Sequence, residues 1–120
     1  MGSTAGQGNA AGFIVKGRGG VRVEELHVGT GEPTTRGDTV LIRYSGFLNR
    51  GEPFQTDETC RFTLGGRLII PGLDYGVEGM RVGGRRRIHV PPHLGYADAG
   101  APGVPSNAKL TFEVELIEVS

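Results

Sequence analysis

The stretch Leu68-Ile69-Ile70-Pro71-Gly72-Leu73-Asp74-Tyr75-Gly76-Val77-Glu78-Gly79-Met80 decides how the rest of the chain is read. Three apolar residues lead into a proline, which is tolerated at the first helical position because its missing N–H would have no helical partner there. Leu73, Val77 and Met80 follow at steps of four and three, which predicts one apolar stripe on a helix of two to three turns. Gly72, Gly76 and Gly79 weaken that helix, each by about 1 kcal/mol relative to alanine. A helix this poor on its own has to be held by a packing partner. Every other regular pattern in the chain is a strand pattern, so the partner is a sheet.

Outward from the helix, the strands follow one another between turn signals. Val21, Val23, Leu26 and Val28 give an imperfect alternation before Gly29-Thr30-Gly31-Glu32-Pro33, so ordered structure is expected to start near Val21. Thr39 to Ser45 is rich in β-branched and aromatic residues, and Leu48-Asn49-Arg50-Gly51-Glu52 reads as a hairpin turn. Phe54 then leads into a short polar loop before a strand at Arg61–Leu64. After the helix, Arg85 to Val90 is a strand that Pro91-Pro92 stops. Residues 91–107 form a long loop, of the kind that is usually functional. The last strand has the cleanest pattern: Leu110, Phe112, Val114 and Leu116 alternate with Thr111, Glu113 and Glu115. The expected fold is α+β, a bent antiparallel sheet of about five strands wrapped as a half-barrel around one short helix.

At 120 residues the chain is long enough for one domain with its own core. Residues 1–19 read as a flexible, glycine-rich tail and residues 20–120 as the domain. Thirteen basic and thirteen acidic residues cancel, so no global field points to nucleic acid or a membrane surface. One cysteine, Cys60, rules out an internal disulfide and fits a reducing compartment, which favours the cytoplasm. No apolar run approaches the length of a membrane-spanning helix.

Candidate reactive groups are few. His89 and His93 have a spacing that would suit a metal on a helix, but Pro91-Pro92 forbids the helix, and no metal or cofactor is expected. Cys60 has no histidine nearby in sequence to act as its base. On a strand, Arg85-Arg86-Arg87 would alternate between faces with acidic residues nearby, which reads as a solvated sheet surface. What remains is an apolar-aromatic set: Tyr44, Phe54, Phe62, Ile69, Ile70, Leu73, Tyr96 and Phe112. Most of these are core residues by composition. Tyr96, in the long loop, is the one expected to line a site.

Several runs, in order, carry a family resemblance: Gly37-Asp38-Thr39-Val40-Leu41-Ile42-Arg43-Tyr44-Ser45-Gly46, Phe62-Thr63-Leu64-Gly65, Ile69-Ile70-Pro71-Gly72-Leu73, Gly79 to Gly84, Val90 to Tyr96, and Asn107 to Leu116. From about Gly20 to Val119 the chain resembles an FKBP-type peptidyl-prolyl isomerase domain. That resemblance implies a half-barrel around the short helix and rotation about X–Pro bonds in peptides and unfolded proteins. It implies catalytic positions at Tyr44, Phe54, Ile70, Tyr96 and Phe112, and pocket positions at Gln55, Cys60, Ile69, Leu73 and Val104. Ile70 would offer its backbone N–H, and Tyr96 its hydroxyl, to substrate carbonyls. The loop around Ala101, Pro102, Gly103 and Val104 would form a flap.

Where the family usually has tryptophan, aspartate and phenylalanine, this chain has Leu73, Gln55 and Cys60. The implied partners are proline-containing polypeptides and a macrolide of reduced affinity, bound by a monomer. A catalytically weak peptide-binding or chaperone-like module is the alternative.

Overall fold

A computed structural model describes residues 14–120 of the chain. Strands β1 (Ile14–Lys16), β2 (Arg22–His27), β3 (Thr39–Leu48) and β4 (Pro53–Thr63) precede helix α1 (Pro71–Val77). Strands β5 (Arg85–Val90) and β6 (Leu110–Val119) follow it. All six join one antiparallel sheet in the order β1-β2-β5-β6-β3-β4. Among the described residues, no helix is long and apolar enough to cross a membrane.

The sheet is held from inside by one continuous apolar layer. Leu110, Phe112, Val114 and Leu116 of β6 are buried in strict alternation, as the pleat requires of a strand with one covered face. Ile88 faces Phe112 in register, and Val40 and Ile42 extend the layer along β3. Leu73 and Val77 of α1 and Met80 just beyond it close the core.

The helix is shorter than its apolar stripe suggests. The chain leaves the helix at Glu78 (ψ 129) and turns at Gly79 (φ +90), so Met80 reaches the core from a turn. Two glycines let the helix lie against the sheet. A Cβ on Gly76 would sit 2.5 Å from Ile88 Cγ2, and one on Gly72 would overlap the Val90 methyls. What these residues lose in helix propensity they return as close packing.

Polar groups fasten the helix, most of them at its C-terminal end and Asp74 in its first turn. Arg86, with a side chain 12% exposed, donates to the carbonyls of Gly76 (2.9 Å) and Glu78 (2.8 Å) while its guanidinium pairs with Glu25. The Thr34 hydroxyl donates to Val77 O at 3.2 Å, and the Gly79 N–H lies 3.0 Å from the same hydroxyl oxygen. Asp74 is 4% exposed; it accepts from the Gly65 N–H at 2.9 Å and faces Arg36 at 3.3 Å. Arg18 and Arg36 converge on Glu78; the Arg18 hydrogen bond, first among the causes, holds that carboxyl below its ordinary pKa.

Four expectations are corrected here. Order begins earlier than Val21: Val15 pairs with Val23, and Arg18 bonds Glu78, so residues 14–19 belong to the domain and not to a tail. Ile14, Val15 and Lys16 are all exposed; backbone pairing makes them a strand, which leaves no burial pattern to read. The rest of the expected tail, residues 1–13, lies outside the described residues. Gln55 to Thr59 are strand, not loop: β4 runs unbroken through them beside β3, exposed enough at the sheet edge to tolerate polar residues. The long loop carries short 3-10 turns at Pro92–Leu94 and Ala97–Ala99. Arg86 is not solvated, because its strand passes under the end of α1.

Candidate functional site

Between the N-terminal end of α1 and the concave face of β3, β4 and β6 lies a cavity of about 420 Å³. Tyr44, Gln55, Cys60, Ile69, Ile70, Leu73, Tyr96 and Phe112 line it, with Arg67 and Leu68 at the same wall. The aromatic end is built by pairing across the sheet. Phe112 stands opposite Gly46, and Gly46 is next to Gln55 on the other side. A Cβ on Gly46 would lie 2.5 Å from Phe54 Cζ and 3.0 Å from Phe112, so the missing side chain is what lets Phe54 sit there. Phe54 meets Phe112 edge-on at 5.7 Å, and Tyr44 meets it tilted at 6.0 Å.

Burial raises the pKa of Tyr44, Cys60 and Tyr96, with Cys60 a further contributor at Tyr44. Both phenols and the thiol therefore stay protonated at neutral pH. Among the described residues, no backbone acceptor takes the Ile70 N–H. Among the described residues the lining holds no carboxylate and no imidazole. Such a cavity can strip water from an apolar group and donate hydrogen bonds to a polar one; it has no base to move a proton.

A family model described as FKBP-type peptidyl-prolyl cis-trans isomerase matches residues 30–117, which includes every residue of this lining. The chain belongs to that family. FK506-binding protein 4 of Aspergillus oryzae is 43% identical over 103 residues, 83% of this chain and 22% of that protein. FK506-binding protein 3 of Candida albicans is 40% identical over 104 residues, 84% of this chain and 24% of that protein. The chain thus spans about a fifth to a quarter of the relatives it matches. Among solved structures, FkpA from Escherichia coli superposes with a TM-score of 0.79 at 32% identity, over 96% of this chain and 54% of that one. A peptidyl-prolyl cis-trans isomerase from Pseudomonas syringae gives 0.77 at 30% identity, over 89% and 80%.

Of the residues expected from sequence, this FKBP domain brings all but two to the cavity wall. Phe54 stands behind Phe112, and Val104 is buried in the loop. That loop is tied down: Ala101 and Val104 exchange backbone hydrogen bonds at 3.1 and 2.8 Å, and Asn107 N–H reaches Ala97 O at 2.8 Å. A Cβ on Gly103 would touch Phe54 Cβ at 3.7 Å, so the loop tip rests on the aromatic end of the site. His89 is on the sheet beside Thr111, away from the lining, where burial lowers its pKa.

Sequence reasoning missed Arg67, Leu68 and the Asp74–Arg36 pair. For Asp74 a signal existed, since an acid in a glycine-rich first turn that faces a sheet needs a partner. For Arg67 there was none.

Proposed function

We propose that this FKBP domain catalyses cis–trans isomerisation of X–Pro bonds by seating the proline ring in the 420 Å³ cavity. The supporting observation is the pairing of an apolar-aromatic lining with an unclaimed Ile70 N–H at its edge. Rotation about the peptide bond must break amide resonance, against a barrier of about 20 kcal/mol. Water favours the planar, polarised amide by solvating its carbonyl. In this reading Tyr44, Leu73 and Phe112 exclude that water around the ring, and Phe54 supports them by packing edge-on against Phe112. Ile70 N–H and the Tyr96 hydroxyl hold flanking carbonyls, with donors already in place for the twisted form. Ile69, Gln55 and Cys60 complete the wall, and the loop through Val104 covers the aromatic end. One chain supplies every part, so the domain acts as a monomer.

Substrates are proline-containing segments of peptides and unfolded proteins. A macrolide of the rapamycin class enters the same cavity with reduced affinity, since Leu73 offers less surface than an indole. That substitution, with Gln55 and Cys60, also supports a second reading: a module that binds proline peptides and accelerates them little.

A proline-peptide isomerisation assay separates the two. We expect measurable acceleration whose rate hardly changes between about pH 6 and 8, because Tyr44, Tyr96 and Cys60 all have raised pKa values and stay protonated there. A bell-shaped profile with a limb near 6.5 would sink the mechanism. Binding without acceleration would establish the second reading.

A further inference from the structure

We propose that Arg67 selects substrates with a carboxylate beside the proline, an inference that rests on the isomerase reading above. Among the described residues that line the cavity, Arg67 is the one with a formal charge. Arg18, Arg36, Arg43, Arg61, Arg86 and Arg87 each pair with an acid; among the described residues Arg22, Arg50, Arg67, Arg81 and Arg85 do not, and of these Arg67 is the one in the cavity lining. Arg67 and Ile69 also border an adjoining hollow, where the acid is Asp74, already faced by Arg36 at 3.3 Å. Glu58 stands opposite Tyr44 on β4 and does not line the cavity. No carboxylate of the site therefore competes for this guanidinium.

The residue is exposed at the cavity wall, on a backbone with an unusual conformation. Arg67 adopts φ +65, a left-handed conformation that costs a non-glycine residue energy and persists where the surroundings fix it. Its neighbour Leu68 is 76% exposed, the most open of the large apolar side chains among the described residues, and also lines the cavity. Among the described residues nothing covers it. These two residues precede Ile70 by three and two positions, so a peptide whose carbonyl meets the Ile70 N–H has to cross them. An aspartate or glutamate at that crossing meets Arg67, while the peptide's apolar atoms meet Leu68. A lysine there meets a like charge.

Exposed ion pairs of this kind change an equilibrium by about 1.4- to fivefold, so with attraction for one and repulsion for the other a glutamate peptide should outrun its lysine counterpart by roughly two- to twenty-fivefold. The test measures kcat/KM by NMR exchange on peptides with Glu, Ala or Lys on either side of one proline. It uses the wild-type chain, Arg67→Gln, Arg67→Glu and Leu68→Ser. The Glu-to-Lys ratio within each protein cancels any general change in activity.

We expect the ratio to favour Glu in the wild type, to approach one in Arg67→Gln and to reverse in Arg67→Glu. It should also shrink between about 0.05 M and about 1 M salt as the charges are screened. Leu68→Ser should slow all peptides alike. If the wild type isomerises the Ala peptide but treats Glu and Lys equally, or if Arg67→Glu keeps the wild-type ratio, the inference is overturned and the isomerase reading stands. If the Ala peptide is not accelerated at all, the isomerase reading fails and this inference fails with it.

Discussion

The two ends of helix α1 are treated in opposite ways. At its C-terminal end three carbonyls have side-chain donors: Arg86 takes those of Gly76 and Glu78, and Thr34 takes that of Val77. At its N-terminal end Ile70 has no side-chain cap, and its N–H meets no backbone acceptor among the described residues. One end is surrounded by Glu25, Glu78, Arg18, Arg36 and Arg86, mutually paired. The other opens on aromatic and aliphatic side chains with protonated phenols. Polar groups are completed at one end and, in the reading proposed above, left for a peptide to complete at the other. On that proposal, stability and function draw on different ends of one seven-residue helix.

Removing the most finished group should have the largest effect. Arg86→Met leaves Glu25 and two helix-end carbonyls without their donor, and we expect a loss of about 3 kcal/mol in urea unfolding. Peptide turnover by the fraction that stays folded should be retained; turnover lost ahead of unfolding would show that the two ends are coupled.

The open end is probed by Leu73→Trp. Filling the cavity floor should tighten macrolide binding by about 1–3 kcal/mol, or ten- to a couple of hundred-fold, in calorimetric titration. A folded variant that binds no more tightly would mean that Leu73 is not the floor of a proline pocket.

Gly76→Ala tests what lies between the ends. Alanine favours helix by about 1 kcal/mol, yet its Cβ would press on buried Ile88, and overpacking costs about 1–3 kcal/mol. A net loss of about 1 kcal/mol is expected, and a gain would show that contact with the sheet does not limit the helix.

The smallest effect is expected in the loop. Ala97 sits at φ +51, so Ala97→Gly relieves left-handed strain of about 1–2 kcal/mol but adds freedom to the unfolded chain worth about 0.4–1 kcal/mol. Calorimetric melting should register a gain of about 0.5 kcal/mol.

The same contrast explains what could be read from the sequence. Strand β6 was legible because one face is covered and the other open, which writes itself as alternation from Leu110 to Leu116. Most of the cavity wall was legible through its family runs. Strand β1 and the middle of β4 were not, because Ile14–Lys16 and Thr56–Thr59 are exposed and held by backbone pairing that no side-chain pattern records. Arg86 and Arg67 look alike in sequence. One is buried under a helix end and the other stands unpaired at the cavity wall, and tertiary position alone decides which.

Strand β6 also sets when this molecule can fold. It lies between β5 and β3, so the last of the six strands in chain order occupies an interior position in the sheet. Until residues 110–119 have left the ribosome, β3 and β4 form an isolated hairpin with an uncovered apolar face, and β5 has no neighbour on one side. Joining β3 to β6 closes a loop that contains α1 and β5, an entropic cost met before the contacts that repay it. The nascent chain is therefore expected to acquire its fold in one late step, and a chain cut before Leu110 to lack a competent sheet altogether.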